Sequence, residues 1–172
     1  MLNFALRAAR HLGPLAVIAA LFGCVTPAPA PAPPSGEAMA ATADSRATDA
    51  ALGIMRRGGN AVDAAIAAEF VLGLVEPQSS GIGGGAFLLF YDATSEAITG
   101  FDGRERAPAG ATPSMFLDAA GEPFDFFDAQ VSGLSIGTPL LVAMLKRAHD
   151  KHGLLPWADL TTPAIRIAEG GF

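Results

Sequence analysis

The segment Ser79–Asp92, SSGIGGGAFLLFYD, places Gly81, Gly83, Gly84 and Gly85 directly before an apolar run. Backbone that bare can approach a ligand, or another backbone, very closely. Gly81, Gly83 and Ala86 match the G-x-G-x-x-G/A spacing of a dinucleotide loop. Such a loop needs a strand before it and a helix after it, so that the helix N-terminus meets the pyrophosphate. The order here is different. Pro77 breaks the preceding element, and AFLLFY reads as a short buried strand. No Gly-Lys-Ser/Thr follows the glycines, which excludes a phosphate loop of that type. The glycines read instead as the entry to a core strand that another backbone passes closely.

A second kind of chemistry sits in GRERAP, Gly103–Pro108. The planar fork of Arg104 can grip a carboxylate with two hydrogen bonds, which a lysine cannot reproduce. Taken on residues alone, Arg104 reads first as a surface arginine paired with Glu105 or Asp102, the commoner state of a loop arginine. The remaining candidates have bland readings. His149 and His152 lie at a helix end, where the dipole favours cations. Asp125 and Asp128 in PFDFFDAQ form a carboxylate pair without a partner and read as solvated loop residues. Thr161 and Thr162 precede Pro163 and fit a helix cap; Thr42, Thr48 and Thr138 also sit in cap or helix contexts. No His/Cys/Asp cluster has metal-ligand spacing, so neither a metal nor a cofactor is expected.

The 172 residues are 51% hydrophobic and only 16% charged, with a formal net charge of -6. An acidic chain with few cations carries no electrostatic footprint for nucleic acid. Residues 1–23 have the layout of a signal peptide: Arg7 and Arg10 without an acid, then LGPLAVIAALFG, too short to span a bilayer. The only cysteine, Cys24, ends this run in LFGC, which resembles the lipobox of bacterial lipoproteins. Lipidation of Cys24 is the favoured expectation; the alternative is an ordinary export signal cut after Ala28–Ala30. Either way the expected location is the periplasm or cell envelope, and in the favoured case a lipid anchor at Cys24 supplies membrane contact. Residues 24–36 form a Pro/Ala-rich linker of extended geometry.

The part that must position the chemistry begins at residue 37. DSRATDAALGIMRR predicts a helix capped by Asp44 or Ser45 and stopped at Gly58-Gly59. Asn60 then caps AVDAAIAAEFVLGLV, with Asp63 in a capping-box position. This helix is apolar nearly all round, and its alanines let it pack very close to a sheet. AFLLFYD, the turn ATSE and AITGFD predict a hairpin. Thr138 and Pro139 are expected to open LLVAMLKRAHDKH, stopped by Gly153, and Thr162-Pro163 to open a last helix, AIRIAEGGF. Two strands cannot enclose so apolar a helix. The chain therefore reads as part of a larger fold.

The order of these features resembles the gamma-glutamyltransferase family of N-terminal-nucleophile hydrolases. The resemblance runs through residues 58–92, then GRERAP, then SGLSIGTPLLVAMLKRAHDKHGLLPW at 132–157, and PAIRIAEGGF at 163–172. It implies an α+β fold, a four-layer αββα sandwich, of which residues 37–172 are the N-terminal part of the large subunit, truncated. It implies γ-glutamyl transfer from, or hydrolysis of, glutathione and related γ-glutamyl amides, with water or an amino acid or peptide as acceptor. The nucleophile is an N-terminal threonine of the small subunit, outside this chain, so residues 1–172 alone are expected to be inactive. By the same resemblance Arg104 grips the donor's α-carboxylate, while Arg106 occupies the variable position of the R-E-x-A-P motif. The alternatives are an acylase of the same superfamily, acting on cephalosporins or poly-γ-glutamate, and a non-catalytic exported lipoprotein.

Overall fold

The computed structural model describes residues 38–172. The expected leader, Cys24 and the linker lie outside the described residues. Helix α1, Ser45–Arg56, starts where Asp44 accepts a hydrogen bond from the Arg46 amide at 2.8 Å. The Arg46 guanidinium also holds the Asp44 carboxyl, lowering its pKa to about 2. The helix stops at Gly58, whose φ of +93° is open to glycine and strained for other residues.

Helix α2, Ala61–Val75, is the centre of the fold. Asn60 Oδ1 accepts from the amides of Val62 and Asp63, and Asp63 Oδ2 accepts from the Asn60 amide at 3.1 Å, the expected capping box. Val62, Ala64, Ile66, Ala67, Ala68 and Val71 are buried around the helix, which packs against α1 and the two later helices. Its alanines let these neighbours approach, so the all-round apolar pattern is spent on packing.

Asp63 does more than cap. It is fully buried, and its carboxylate also accepts from the amides of Leu154 at 3.0 Å and Leu155 at 3.2 Å. The Asn60 side chain donates to the His152 carbonyl at 2.5 Å. The start of α2 is thereby latched to the chain reversal between the last two helices, more than 90 residues later.

Strands β1, Phe87–Asp92, and β2, Ala97–Asp102, pair antiparallel, with Leu88 opposite Phe101 and Tyr91 opposite Ile98. The expectation of a wholly buried strand needs correcting. Leu88, Phe90 and Phe101 turn to the helices, whereas Phe87, Leu89 and Ile98 are 69%, 78% and 70% exposed. Period-two geometry sends alternate side chains to opposite faces, and among the described residues only one face is covered. A short helix α3, Phe126–Val131, follows within a long exposed excursion, capped by Asp125, whose carboxyl accepts from the Phe127 amide at 2.9 Å. Asp125 is therefore a cap and Asp128 a first-turn residue, both exposed.

Helix α4, Leu141–His152, begins later than Thr138-Pro139 predicts. The Thr138 backbone is committed elsewhere: its amide donates to the Arg106 carbonyl at 2.7 Å, and the Arg106 amide donates back at 3.2 Å. The orphan amide of Leu141 donates instead to the Gly84 carbonyl at 3.1 Å. His149 and His152 do fall in the last turn, but they pack inward. His149 Nε2 is hydrogen-bonded to the Leu155 carbonyl, and the His152 ring lies 4.4 Å from that of Phe90.

Helix α5, Trp157–Gly170, corrects another expectation. It starts well before Thr162-Pro163 and carries Pro163 inside. Thr161 and Thr162 are helical, and both hydroxyls donate to the Ala158 carbonyl. An internal proline costs about 3 kcal/mol. The first turn offsets it: Leu160 is fully buried, worth about 1.5–3 kcal/mol, Trp157 meets Phe70 edge-on at 5.9 Å, and Asp159 pairs with Arg57 at 2.7 Å.

Two outcomes follow from this architecture. Asp63→Ala removes a fully buried side chain and strands the amides of Asn60, Leu154 and Leu155 at once, and should lower unfolding free energy by about 3–5 kcal/mol. Asp63→Asn, which keeps one carbonyl oxygen, should cost less; equal denaturation midpoints for Ala and wild type would refute the latch. The bare sheet face should bind a hydrophobic dye. Leu89→Thr with Ile98→Thr should reduce dye fluorescence and light scattering at unchanged far-ultraviolet circular dichroism, and unchanged fluorescence would place the exposed apolar surface elsewhere.

Candidate functional site

The glycine segment, the end of α2, the loop after β2 and the start of α4 enclose an open cleft of about 640 Å³. The segment turns on itself, the Gly84 amide donating to the Gly81 carbonyl at 3.0 Å. It is tied to α2 where Ser80 Oγ donates to Glu69 Oε1 at 2.6 Å. It then pairs with the loop after β2: the Gly103 amide donates to the Ala86 carbonyl at 2.9 Å, and the Ala86 amide returns a bond at 3.3 Å. A Cβ on Gly85 would stand 2.5 Å from the Gly103 carbonyl oxygen and 2.8 Å from the Glu105 amide nitrogen. The backbone that needs Gly85 bare is thus the GRERAP loop. A strand, not a helix, follows the glycines, so they do not lead into a helix N-terminus as a dinucleotide loop does.

Arg104 lines this cleft. Its amide donates to Asp102 Oδ1 at 2.9 Å, which turns the loop. Its guanidinium donates from Nη1 to the Gly85 carbonyl at 3.1 Å, and Nη2 lies 3.0 Å from Glu105 Oε2. The pairing with Glu105 weighed for a surface arginine is present, while Asp102 holds the backbone and not the fork. Both contacts are compatible with a ligand site, because the side chain remains 53% exposed and faces the cleft. Glu69, Glu76 and Glu105 line the same space. Any anion held here is therefore recognised by the fork of Arg104 at short range, not by a positive field. Arg106 is exposed and lies outside the cleft lining, its backbone bridged to Thr138.

None of the threonines singled out in the sequence stands beside a base. Thr42 and Thr48 bond to each other at 2.7 Å, and Thr161 and Thr162 bond within α5. The residues that sequence reasoning missed are Glu69, whose tie to Ser80 has no local signature, and the pair of His149 with the buried Asp63, Nε2 to Oδ1 at 3.9 Å. The imidazole is engaged by the Leu155 carbonyl, and both groups serve the helix reversal. Among the described residues no group of three or more His, Cys, Asp or Glu could hold a metal ion, and no helix is long and apolar enough to cross a membrane.

Comparison with known proteins bears on this geometry. The family model described as gamma-glutamyltranspeptidase matches residues 47–172. The glutathione hydrolase proenzyme of Bacillus subtilis is 44% identical over 136 residues, which are 79% of this chain and 23% of that protein. The gamma-glutamyltranspeptidase of Helicobacter pylori superposes with a TM-score of 0.75 at 34% identity, over 83% of this chain and 40% of that one. A cephalosporin acylase from Bacillus halodurans superposes with a TM-score of 0.58 at 31% identity, over 73% of this chain and 23% of that one. The chain thus spans about a quarter of the curated relative, and its mixed helix and strand agree with the expected α+β class. Since the matched stretch takes in the glycine segment, the Arg104 loop and every helix that positions them, the chain belongs to the gamma-glutamyltranspeptidase family, an enzyme family that includes glutathione hydrolases.

Proposed function

We propose that this chain supplies the donor-binding wall of a site for γ-glutamyl transfer or hydrolysis, with Arg104 as the ligand of the donor's α-carboxylate. The observation that carries the reading is the half-exposed guanidinium of Arg104, anchored by the Gly85 carbonyl and directed into an open cleft. A second feature supports it. Carboxylates of Glu69, Glu76 and Glu105 line the cleft beside a single guanidinium, a mixture suited to a zwitterionic amino-acid head and unsuited to a polyanion.

On this reading Arg104 binds and orients, and bond-making is done elsewhere. An N-terminal threonine on a second polypeptide segment attacks the γ-amide carbonyl, its own α-amine taking the hydroxyl proton. The amine of the donor leaves, and water or an acceptor amine then takes the γ-glutamyl group from the threonine ester. Residues 1–172 alone lack that nucleophile and are expected to show no turnover. The likeness to a cephalosporin acylase supports a second reading, in which Arg104 holds a carboxylate that has no neighbouring ammonium.

In the longer protein that contains this chain, Arg104→Lys keeps the charge and loses the fork. It should lower kcat/KM for a γ-glutamyl anilide by about ten- to a hundredfold, the loss of a charge-assisted hydrogen bond. A donor analogue without the α-carboxylate should be nearly indifferent to the change, and Arg106→Lys should do little to either donor. A silent Arg104→Lys beside a damaging Arg106→Lys would remove Arg104 from the site. A donor lacking only the α-amino group should be used poorly; equal use of it would favour the acylase reading.

A further inference from the structure

After Arg106 the chain leaves on an excursion that returns only at Gly137, and most of it is exposed. Its return is nonetheless tightly specified. Thr138 and Arg106 exchange two backbone hydrogen bonds, at 2.7 and 3.2 Å. The preceding residue, Gly137, lies so close to the loop that a Cβ there would stand 2.9 Å from Glu105 Cβ and 3.6 Å from the Arg106 carbonyl oxygen. From a second segment, a Cβ on Gly85 would meet the Glu105 amide and Oε2, each at 2.8 Å. Beneath, a Cβ on Gly103 would meet Met144 Cβ at 2.5 Å. Two residues without a Cβ, Gly85 and Gly137, from two separate segments, therefore crowd Glu105, while Gly103 seats the base of the same loop on Met144, and together they leave Glu105 little room to shift. Glu105 in turn holds the Arg104 fork at 3.0 Å. A displacement of Glu105 by a few tenths of an ångström passes directly to the guanidinium.

We propose that Gly137 is a positioning residue for the proposed carboxylate-binding arginine: the returning end of the excursion, bridged through Thr138 to Arg106, closes the sleeve that fixes Glu105 and hence the aim of Arg104. The inference rests on the donor-carboxylate reading above. It gives the excursion a role that its exposed middle does not show, since the segment contributes its base to the site. It also separates two neighbouring arginines by function. The side chain of Arg104 meets the donor, whereas Arg106 serves through its backbone.

The test uses the longer protein that contains this chain, with a γ-glutamyl anilide and a matched donor lacking the α-carboxylate. Gly137→Ala should raise KM for the first donor about three- to tenfold with kcat within about twofold, because misplacement of a binding group by less than an ångström is costly. It should leave the second donor unchanged. An equal loss on both donors, or none on either, overturns the inference. Arg104→Lys is measured in parallel. If it treats both donors alike, the donor reading has failed and the inference with it; if it discriminates and Gly137→Ala does not, the inference alone falls. Amide hydrogen exchange on the unsubstituted protein supplies a readout that does not depend on the variant folding. The amides of Arg106 and Thr138 should exchange at least about tenfold more slowly than those of the exposed Ala109, Gly110 and Thr112. Comparable rates would mean that the return does not hold the loop, and would overturn the inference whatever the kinetics.

Discussion

One buried carboxylate organises this molecule. Asp63 has no access to water, and a charge so placed is tolerated only when hydrogen bonds replace its hydration. It receives the amides of Asn60, Leu154 and Leu155, and it sits in the first turn of α2, where the helix dipole also favours it. The consequences reach the cleft. The latch fixes where α4 ends, and α4 in turn presents Leu141 to the Gly84 carbonyl and Met144 to Gly103. The glycine segment is thus held from two sides by helices whose relative placement depends on Asp63: α2 through Glu69 and Ser80, and α4 through Leu141. A site whose geometry must hold to within fractions of an ångström belongs on such elements.

The hairpin shows the other side of the same economy. Its inner face closes the core with Phe101, Leu88 and Phe90, and the stacking of His152 on Phe90 ties it to α4. Its outer face leaves Phe87, Leu89, Tyr91 and Ile98 to solvent. A two-stranded sheet is marginal by itself, and apolar residues on both faces are the pattern of a strand covered on both sides. The family's solved members are more than twice as long as the stretch matched here. The bare face is the surface that a further layer would cover in a fold of that length.

Much of this was legible in the residues. The caps of α1 and α2 were readable because Asp44, Asn60 and Asp63 act within a turn of themselves, where sequence distance equals spatial distance. The hairpin was readable for the same reason, whereas the Arg104 side chain, taken on residues alone, read as a surface arginine. The starts of α4 and α5 were not readable. In each, a local signal, Thr138-Pro139 or Thr162-Pro163, was overridden by a distant partner: the Arg106 backbone in the first case, the buried Leu160 and the Phe70–Trp157 contact in the second. The latch escaped notice because its acceptor and two of its donors are separated by more than 90 residues. Glu69 escaped because a carboxylate on an alanine-rich helix resembles any solvated residue until Ser80 is placed beside it.

The ion pair that makes Arg104 look ordinary also explains how it can be available. A loop arginine left free would sample many rotamers, and ordering it on binding would cost up to about 2 kcal/mol of side-chain entropy. Glu105 and the Gly85 carbonyl remove much of that cost beforehand by holding the fork. Their hold is weak, because an ion pair this exposed is worth at most about 1 kcal/mol. Any carboxylate reaching the open side of the guanidinium would gain about 1.5–3 kcal/mol from charge-assisted bonds, more than the exposed pair with Glu105 supplies. The same reasoning explains why the acids of the cleft do not defeat the site. Glu69 is engaged by Ser80, Glu76 by Gln78 and Glu105 by Arg104, so each is partly occupied before any ligand arrives. Among the described residues lining the cleft, Arg104 is the cation, and it is oriented while the acids beside it are already in contact with donors, which is preorganisation without a positive field.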